Sequence, residues 1–115
     1  MVDDNRDSAD SLVELLDALG AQARAAYDGE QALEAVTGFR PDLVFLDLGM
    51  PGRDGYDVAA ALRQQPEGSR AHLVALTGWG NAEERQRTAE AGFDAHLVKP
   101  VALDDLRALL SVRAR

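Results

Sequence analysis

Short, continuous apolar runs alternate along the chain with longer stretches in which apolar residues return every third or fourth position. Residues 43–46 read Leu-Val-Phe-Leu between Pro41 and Gly49, the pattern of a strand buried on both faces. Runs at 72–76 and 95–98 predict two more strands, and 22–26 predicts a short one weakened by its alanines. A helix is predicted over 7–19, with Leu12, Leu15, Leu16 and Leu19 on one stripe and Gly20 as its stop. A second is predicted over 30–37, with Leu33 and Val36 inward and Gly38 as its end. The third covers 55–65 and stops before Pro66; the fourth covers 81–91 and is ended by Gly92. The fifth covers 103–112, with Leu103, Leu106, Leu109 and Leu110 buried. In the fourth helix only Ala82, Ala89 and Ala91 are apolar among Glu83, Glu84, Arg85, Gln86 and Arg87, so it should be held weakly and move readily.

Strand–helix alternation of this kind predicts an α/β fold, a parallel sheet covered by helices on both faces. The first strand is the anomaly. Only Met1 and Val2 precede the acidic pair Asp3-Asp4, so that strand is expected to be truncated.

Length and composition narrow the function. A chain of 115 residues suits one domain, 1–115, and its 46% hydrophobic content is that of a globular protein. No run approaches the ~20 apolar residues of a membrane span, so a soluble, cytoplasmic chain without a membrane partner is expected. The 12 Lys and Arg against 20 Asp and Glu leave a net charge of −8, which disfavours direct contact with nucleic acid. The absence of cysteine excludes disulfides, thiolate catalysis and zinc–thiolate sites, and His72 and His96 are too far apart for a local metal motif. Carboxylates, hydroxyls, lysine and backbone remain for chemistry.

In an open parallel sheet, functional groups gather beyond the carboxyl ends of the strands. Asp3 and Asp4 follow the first strand, Asp47 the third, Thr77 the fourth and Lys99 the fifth. Three carboxylates at one edge repel one another and call for a cation, and hard oxygen donors without imidazole or thiolate point to Mg²⁺. A lysine and a hydroxyl beside such a cluster match the needs of phosphoryl transfer, which uses an oxygen nucleophile, a metal and donors for the equatorial oxygens.

Val-Asp-Asp-Asn (2–5), Leu-Val-Phe-Leu-Asp-Leu-Gly-Met-Pro-Gly-Arg-Asp-Gly-Tyr (43–56), Ala-Leu-Thr-Gly (75–78) and Leu-Val-Lys-Pro (97–100) occur in that order. With these four motifs the chain resembles the receiver domain of two-component response regulators over nearly its whole length. Ala-Leu-Thr-Gly-Trp-Gly and Ala-His-Leu-Val-Lys-Pro-Val are phrased like receivers attached to hybrid histidine kinases.

The resemblance implies a flavodoxin-like, doubly wound, five-stranded parallel sheet in the order 2-1-3-4-5. It implies Asp47 as phosphoacceptor, and Asp3, Asp4, Asp47 and the Gly49 backbone carbonyl around Mg²⁺. Thr77, Gly78 and Lys99 would bind the phosphoryl group, with Gly78 leaving room for a partner to reach it. Thr77, His96, Lys99 and Pro100 would take part in a conformational switch, with a cis bond before Pro100 aiming the lysine inward. The implied partner is a histidine kinase or histidine phosphotransfer domain. A dimer through the fourth helix, fifth strand and fifth helix is a further implication; the shortened first strand, leaving neighbouring backbone groups unpaired, separately predicts marginal stability or repair by exchange of elements between chains. The chain itself is expected to be a switch rather than an enzyme.

Several positions depart from the family pattern. Gly49, two residues after the acceptor, places no side chain near the attacking water, and Trp79, two after Thr77, is bulky enough to shield the acceptor. His96 replaces the usual aromatic switch residue and adds a titratable proton; an ordinary strand histidine is the plainer reading. The glycines over 52–55 should let backbone approach the metal closely. Two other classes compete. A haloacid-dehalogenase-type phosphatase wants an aspartate where Gly49 stands, and a phosphate-independent module would not need Asp4, Asp47, Thr77 and Lys99 together.

Overall fold

Three parallel strands, β1 (Leu43–Asp47), β2 (His72–Thr77) and β3 (Ala95–Val98), lie side by side in that order. Leu46 is paired with Ala75, and Ala75 in turn with His96. The structure is a computed structural model, and it describes residues 1–3, 5–39, 43–48, 55–65, 71–78, 82–99 and 101–113. β1 is buried along its length except at its half-buried first residue, as a continuous apolar run between covering helices requires.

The truncated first strand is present in reduced form. Val2 makes parallel bridges to Ala26 on one side and Leu46 on the other. Its N–H donates to Phe45 O at 2.7 Å and its carbonyl accepts from Asp47 N–H at 3.0 Å; Ala26 N–H donates to Met1 O at 2.8 Å. The spatial sequence Ala26, Val2, β1, β2, β3 is the doubly wound 2-1-3-4-5 order, with its first two members shrunk to single residues. The strand expected over 22–26 is therefore corrected to a bridge at Ala26. Alanine-rich sequence gives it little strand preference, and Val2 offers one bridging position to pair with.

Helices cover both faces. α1 (Arg6–Ala18) starts one residue earlier than expected because Asn5 caps it, its side chain accepting the Ser8 N–H at 3.1 Å. Gly20, at φ 94°, ends the turn after it. α2 (Gly29–Phe39) runs through Gly38, so that glycine is not the stop; it does not take the left-handed conformation that Gly20 and Gly92 adopt. α3 (Gly55–Gln64), α4 (Ala82–Glu90) and α5 (Leu103–Arg113) complete the set.

The strands' alternation divides the core. Val44, Leu46, Leu73 and Ala75 pack with Val36 of α2 and Val58 and Leu62 of α3. Phe45, Val74 and Leu76 pack with Leu12 and Leu16 of α1 and Leu106 of α5. Leu103, expected inside, is 38% exposed; the buried stripe of α5 begins a turn later at Leu106. Among the described side chains of α4, Thr88 is the buried one, its hydroxyl donating to Arg85 O at 2.9 Å, while Ala89 is exposed.

Candidate functional site

The ladder of backbone hydrogen bonds extends one residue past two of the strands and fixes the carboxyl-end edge. Leu48 N–H donates to Leu76 O at 3.1 Å, and Lys99 N–H donates to Thr77 O at 2.7 Å. Asp3 is held to the same edge because its N–H donates to Ala26 O at 3.0 Å, while Asp47 N–H reaches Val2 O. Asp3, Asp47 and Lys99 fall on the strand positions alternating toward α1 and α5, as Phe45 and Leu97 do. Thr77 and His96 fall on the opposite set, with Leu73 and Ala75. Alternation thus sorts the edge into a charged group and a hydrogen-bonding pair.

In the charged group, Lys99 Nζ lies 3.1 Å from Asp47 Oδ2 and 3.6 Å from Asp3 Oδ2. Asp3 is 1% exposed. One of its oxygens, Oδ1, accepts the Asn5 N–H at 3.0 Å. The other, Oδ2, is buried without a hydrogen-bond partner. Burial pushes the Asp3 carboxyl up from the ordinary carboxylate range, the Asn5 N–H pulls it down, and the neighbouring Asp47 adds to the rise against Lys99. A buried oxygen with a spare lone pair beside a second carboxylate is a donor set suited to a hard cation. Among the described residues no three His, Cys, Asp or Glu side chains gather as a metal cluster. Asp3 and Asp47 are the two expected ligands the structure brings together; Asp4 and Gly49 lie outside the described residues.

Thr77 is 3% exposed, and its Oγ1 lies 3.2 Å from His96 Nε2. Gly78 next to it is exposed, and among the described residues a Cβ built there would meet nothing within 4 Å. Trp79 and Pro100 lie outside the described residues. Beside Asp3 and Lys99 opens a groove of about 610 Å³, lined also by Ser8, Leu12, Leu15 and Val101.

Three features of the site escape sequence reasoning. The Asn5 cap fixes Asp3 as well as α1, a link foreshadowed only by an Asn followed at the third position by Ser8. Gly55 has a different task from the one expected of the loop glycines. A Cβ there would lie 2.8 Å from Leu48 Cδ2 and 3.1 Å from Asp47 O, so α3 begins against the backbone that carries Asp47. The direct Thr77–His96 bond requires the strand register and has no local sequence signal.

A family model described as "Response regulator receiver domain" matches residues 1–111. The chain is 39% identical over 114 residues to the sensor histidine kinase RcsC of Salmonella typhi, covering 99% of this chain and 12% of that protein. It is 36% identical over 115 residues to the response regulator MprA of Mycolicibacterium vanbaalenii, covering all of this chain and 49% of that one. The chain therefore spans a small part of the first relative and about half of the second. Among solved structures, a putative response regulator from Chloroflexus aurantiacus superposes with a TM-score of 0.86 at 30% identity, over 99% of this chain and 94% of its own. The chemotaxis protein CheY4 of Vibrio cholerae gives 0.88 at 27%, over 96% and 92%. With the ordered strand ends, the paired Asp47 and Lys99 and these matches in hand, the chain belongs to the response regulator receiver domain family of two-component systems.

Proposed function

We propose that this receiver is a phosphorylation switch in which Asp47 accepts a phosphoryl group from a phosphohistidine. The observation that carries the reading is the contact of Lys99 with Asp47 at 3.1 Å and with Asp3 at 3.6 Å, at the edge where the strand ends converge. An Asp47 carboxylate oxygen attacks phosphorus, the phosphorus–nitrogen bond of the donor breaks, and the imidazole leaves with the bond's electron pair and takes up a proton. The product is an acyl phosphate.

Asp3, Asp47, Asp4 and the Gly49 carbonyl would hold Mg²⁺, which supplies charge neutralisation for the phosphoryl oxygens when bound. Lys99 carries its ammonium toward the same oxygens, and Thr77 and Gly78 add a hydroxyl and a backbone N–H. Once the group is attached, Thr77 and Lys99 move toward it, and the bias passes to α4, β3 and the segment at Pro100. The groove between α1 and Val101, which reaches Lys99, suits approach by the donor, a histidine kinase or histidine phosphotransfer domain. The whole of 1–115 acts as one receiver domain.

The test is exposure to acetyl phosphate with Mg²⁺ followed by intact mass, alongside assay of released phosphate. One phosphoryl adduct per chain, absent in Asp47→Asn, is expected. Rapid turnover of varied phosphate esters would instead indicate a phosphatase, and no adduct a phosphate-independent module.

A further inference from the structure

The backbone hold on Asp3 is short: Val2 bridges Ala26 and Leu46, and the Asp3 N–H donates to Ala26 O at 3.0 Å. Beyond that point both chain segments leave the sheet, one into α1 through its cap Asn5 and the other toward α2 through Tyr27. The Tyr27 N–H donates to Gln31 Oε1 at 2.9 Å, within its own segment. Its side chain reaches across instead. The phenol O–H donates to Asp10 Oδ1 at 2.6 Å, and the Arg6 guanidinium lies over the ring, with Cζ 4.2 Å from the centroid. Arg6 and Asp10 are one helical turn apart on α1, so the half-buried ring docks between a cation and an anion of one helix face.

A cation in a first helical turn opposes the helix dipole. The face of the Tyr27 ring offsets this for Arg6, and the carboxylate that accepts the phenol proton polarises the ring in the favourable sense. The bond to Asp10 also raises the Tyr27 phenol above its ordinary value, so it remains a donor at neutral pH.

Together these contacts close a ring of connections around Asp3. From Ala26 the path runs through Tyr27 to Arg6 and Asp10, then along the first turn of α1 to Asn5. From the Asn5 N–H it reaches Asp3 Oδ1 at 3.0 Å, and it returns to Ala26 through the Asp3 N–H. The placement of α1 against Ala26 therefore governs where Asp3 Oδ2, buried without a hydrogen-bond partner, is presented. We propose that Tyr27 is a positioning residue for Mg²⁺: by tying Arg6 and Asp10 to the Ala26 side of the edge, it holds the Asp3 carboxylate in place for the ion. This deepens the receiver reading and rests on Asp3 being a metal ligand.

Neither Tyr27→Leu nor Tyr27→Phe alters the charge of the edge, so a changed Mg²⁺ affinity does not report a lost or added charge. Mg²⁺ is titrated into the folded proteins and followed at the Asn5 amide by NMR, and amide hydrogen exchange is measured without metal. Tyr27→Leu should bind Mg²⁺ about threefold to tenfold more weakly, less than the ~10–100-fold lost with a group bonded directly to a ligand. Its Asp3 amide should exchange faster, by more than any change at the Asp94 amide, which is bonded to Leu73 O at the opposite end of the sheet. At saturating Mg²⁺ the rate of adduct formation from acetyl phosphate should return to that of wild type, because the reacting groups are untouched. Tyr27→Phe keeps the ring under Arg6 and loses the bond to Asp10, so it should fall between the two; it carries the test where Tyr27→Leu does not fold. Unchanged Mg²⁺ affinity, or equal acceleration at the Asp3 and Asp94 amides, overturns the assignment, since a Tyr27 that only stabilises the fold gives those results. A wild type that binds no Mg²⁺ contradicts the metal role of Asp3 and takes this inference with it, whereas Mg²⁺ binding indifferent to Tyr27 removes the inference alone.

Discussion

Asp47 and Lys99 meet as an ion pair, Nζ to Oδ2 at 3.1 Å, although one ends the first strand of the sheet and the other follows the third. The contact exists because β2 lies between those strands and the ladder carries one residue beyond it, from Thr77 O to Lys99 N–H. Lys99 also faces the buried Asp3 at 3.6 Å. Among the described residues one ammonium, that of Lys99, therefore faces both carboxylates, and the site should register its removal.

Lys99→Ala leaves the buried Asp3 oxygen without its cation. Breaking a buried pair costs about 3–5 kcal/mol. Lys99 is 35% exposed, so solvent screening reduces the expected loss in metal-free buffer to about 1–2 kcal/mol. Denaturant titration checks this. The same variant should still form some adduct with acetyl phosphate while showing no conformational response to it.

Metal and stability are linked through the same carboxylates. Mg²⁺ held by the folded edge and hardly by the unfolded chain should, at a hundredfold excess over its dissociation constant, stabilise by about 2.7 kcal/mol. Asp47→Asn removes a repelling charge next to Asp3; without metal it should exceed wild type by on the order of 1 kcal/mol and gain less from Mg²⁺. Melting curves of both proteins with and without the metal measure the difference.

Two carboxylates should give opposite pH signatures in metal-free buffer. The folded Asp3 carboxyl is raised, so the fold holds its proton more tightly than the unfolded chain does. Stability should therefore rise as pH falls through the folded Asp3 value toward the unfolded one of about 3.9. Asp94 runs the other way. Burial opposes its charge, but the Leu73 N–H at 2.9 Å and Arg63 at 2.7 Å outweigh burial and lower its value. Its contribution is complete above the unfolded value and is lost as pH falls below it through the lowered folded one. Asp3→Asn should erase the first slope and Asp94→Asn the second, read from stability curves between about pH 3 and 7.

The strand–helix order was legible in the sequence, and the reason is physical. Leu43 to Leu46 must be buried on both faces, and only a central parallel strand does that. Asp47, Thr77 and Lys99 could be placed on one edge because each follows such a run. Legibility failed where backbone partners decide the outcome. Ala26 pairs because Val2 is beside it, whereas Gln22 and Arg24, in the same stretch, stay exposed. Gly38 carried the composition of a stop without the left-handed geometry of one. The Thr77–His96 bond depends on Ala75 being in register with His96, a relation between two strands that neither strand's sequence contains.

Arg63 fastens the opposite end of the sheet. Its guanidinium donates to Ala71 O at 2.8 Å, Gly92 O at 2.6 Å and Asp94 Oδ2 at 2.7 Å, joining α3 to the starts of β2 and β3. Arg63→Ala should cost about 2–3 kcal/mol, since several hydrogen bonds with a charged donor are lost together. It should leave phosphorylation chemistry at the far edge unchanged, as acetyl phosphate kinetics on the folded variant will show.

Gly55→Ala tests the close approach of α3 to the Asp47 backbone. The added methyl would lie 2.8 Å from Leu48 Cδ2 and 3.1 Å from Asp47 O, so the Leu48 side chain must turn and the Asp47–Leu48 backbone must give slightly. A stability loss of about 1–3 kcal/mol is expected from overpacking, with slower adduct formation even where the variant is fully folded. An unchanged rate would show that α3 does not set the position of Asp47.

The most direct measurement of the account is the chemical identity of the modified residue. An acyl phosphate on aspartate is reduced by borohydride to homoserine, which marks the acceptor permanently. After treatment with acetyl phosphate and Mg²⁺, reduction and peptide mass spectrometry should find homoserine at position 47 and nowhere else. Homoserine at another aspartate, or none in protein that remains folded, would contradict the assignment of Asp47 as phosphoacceptor.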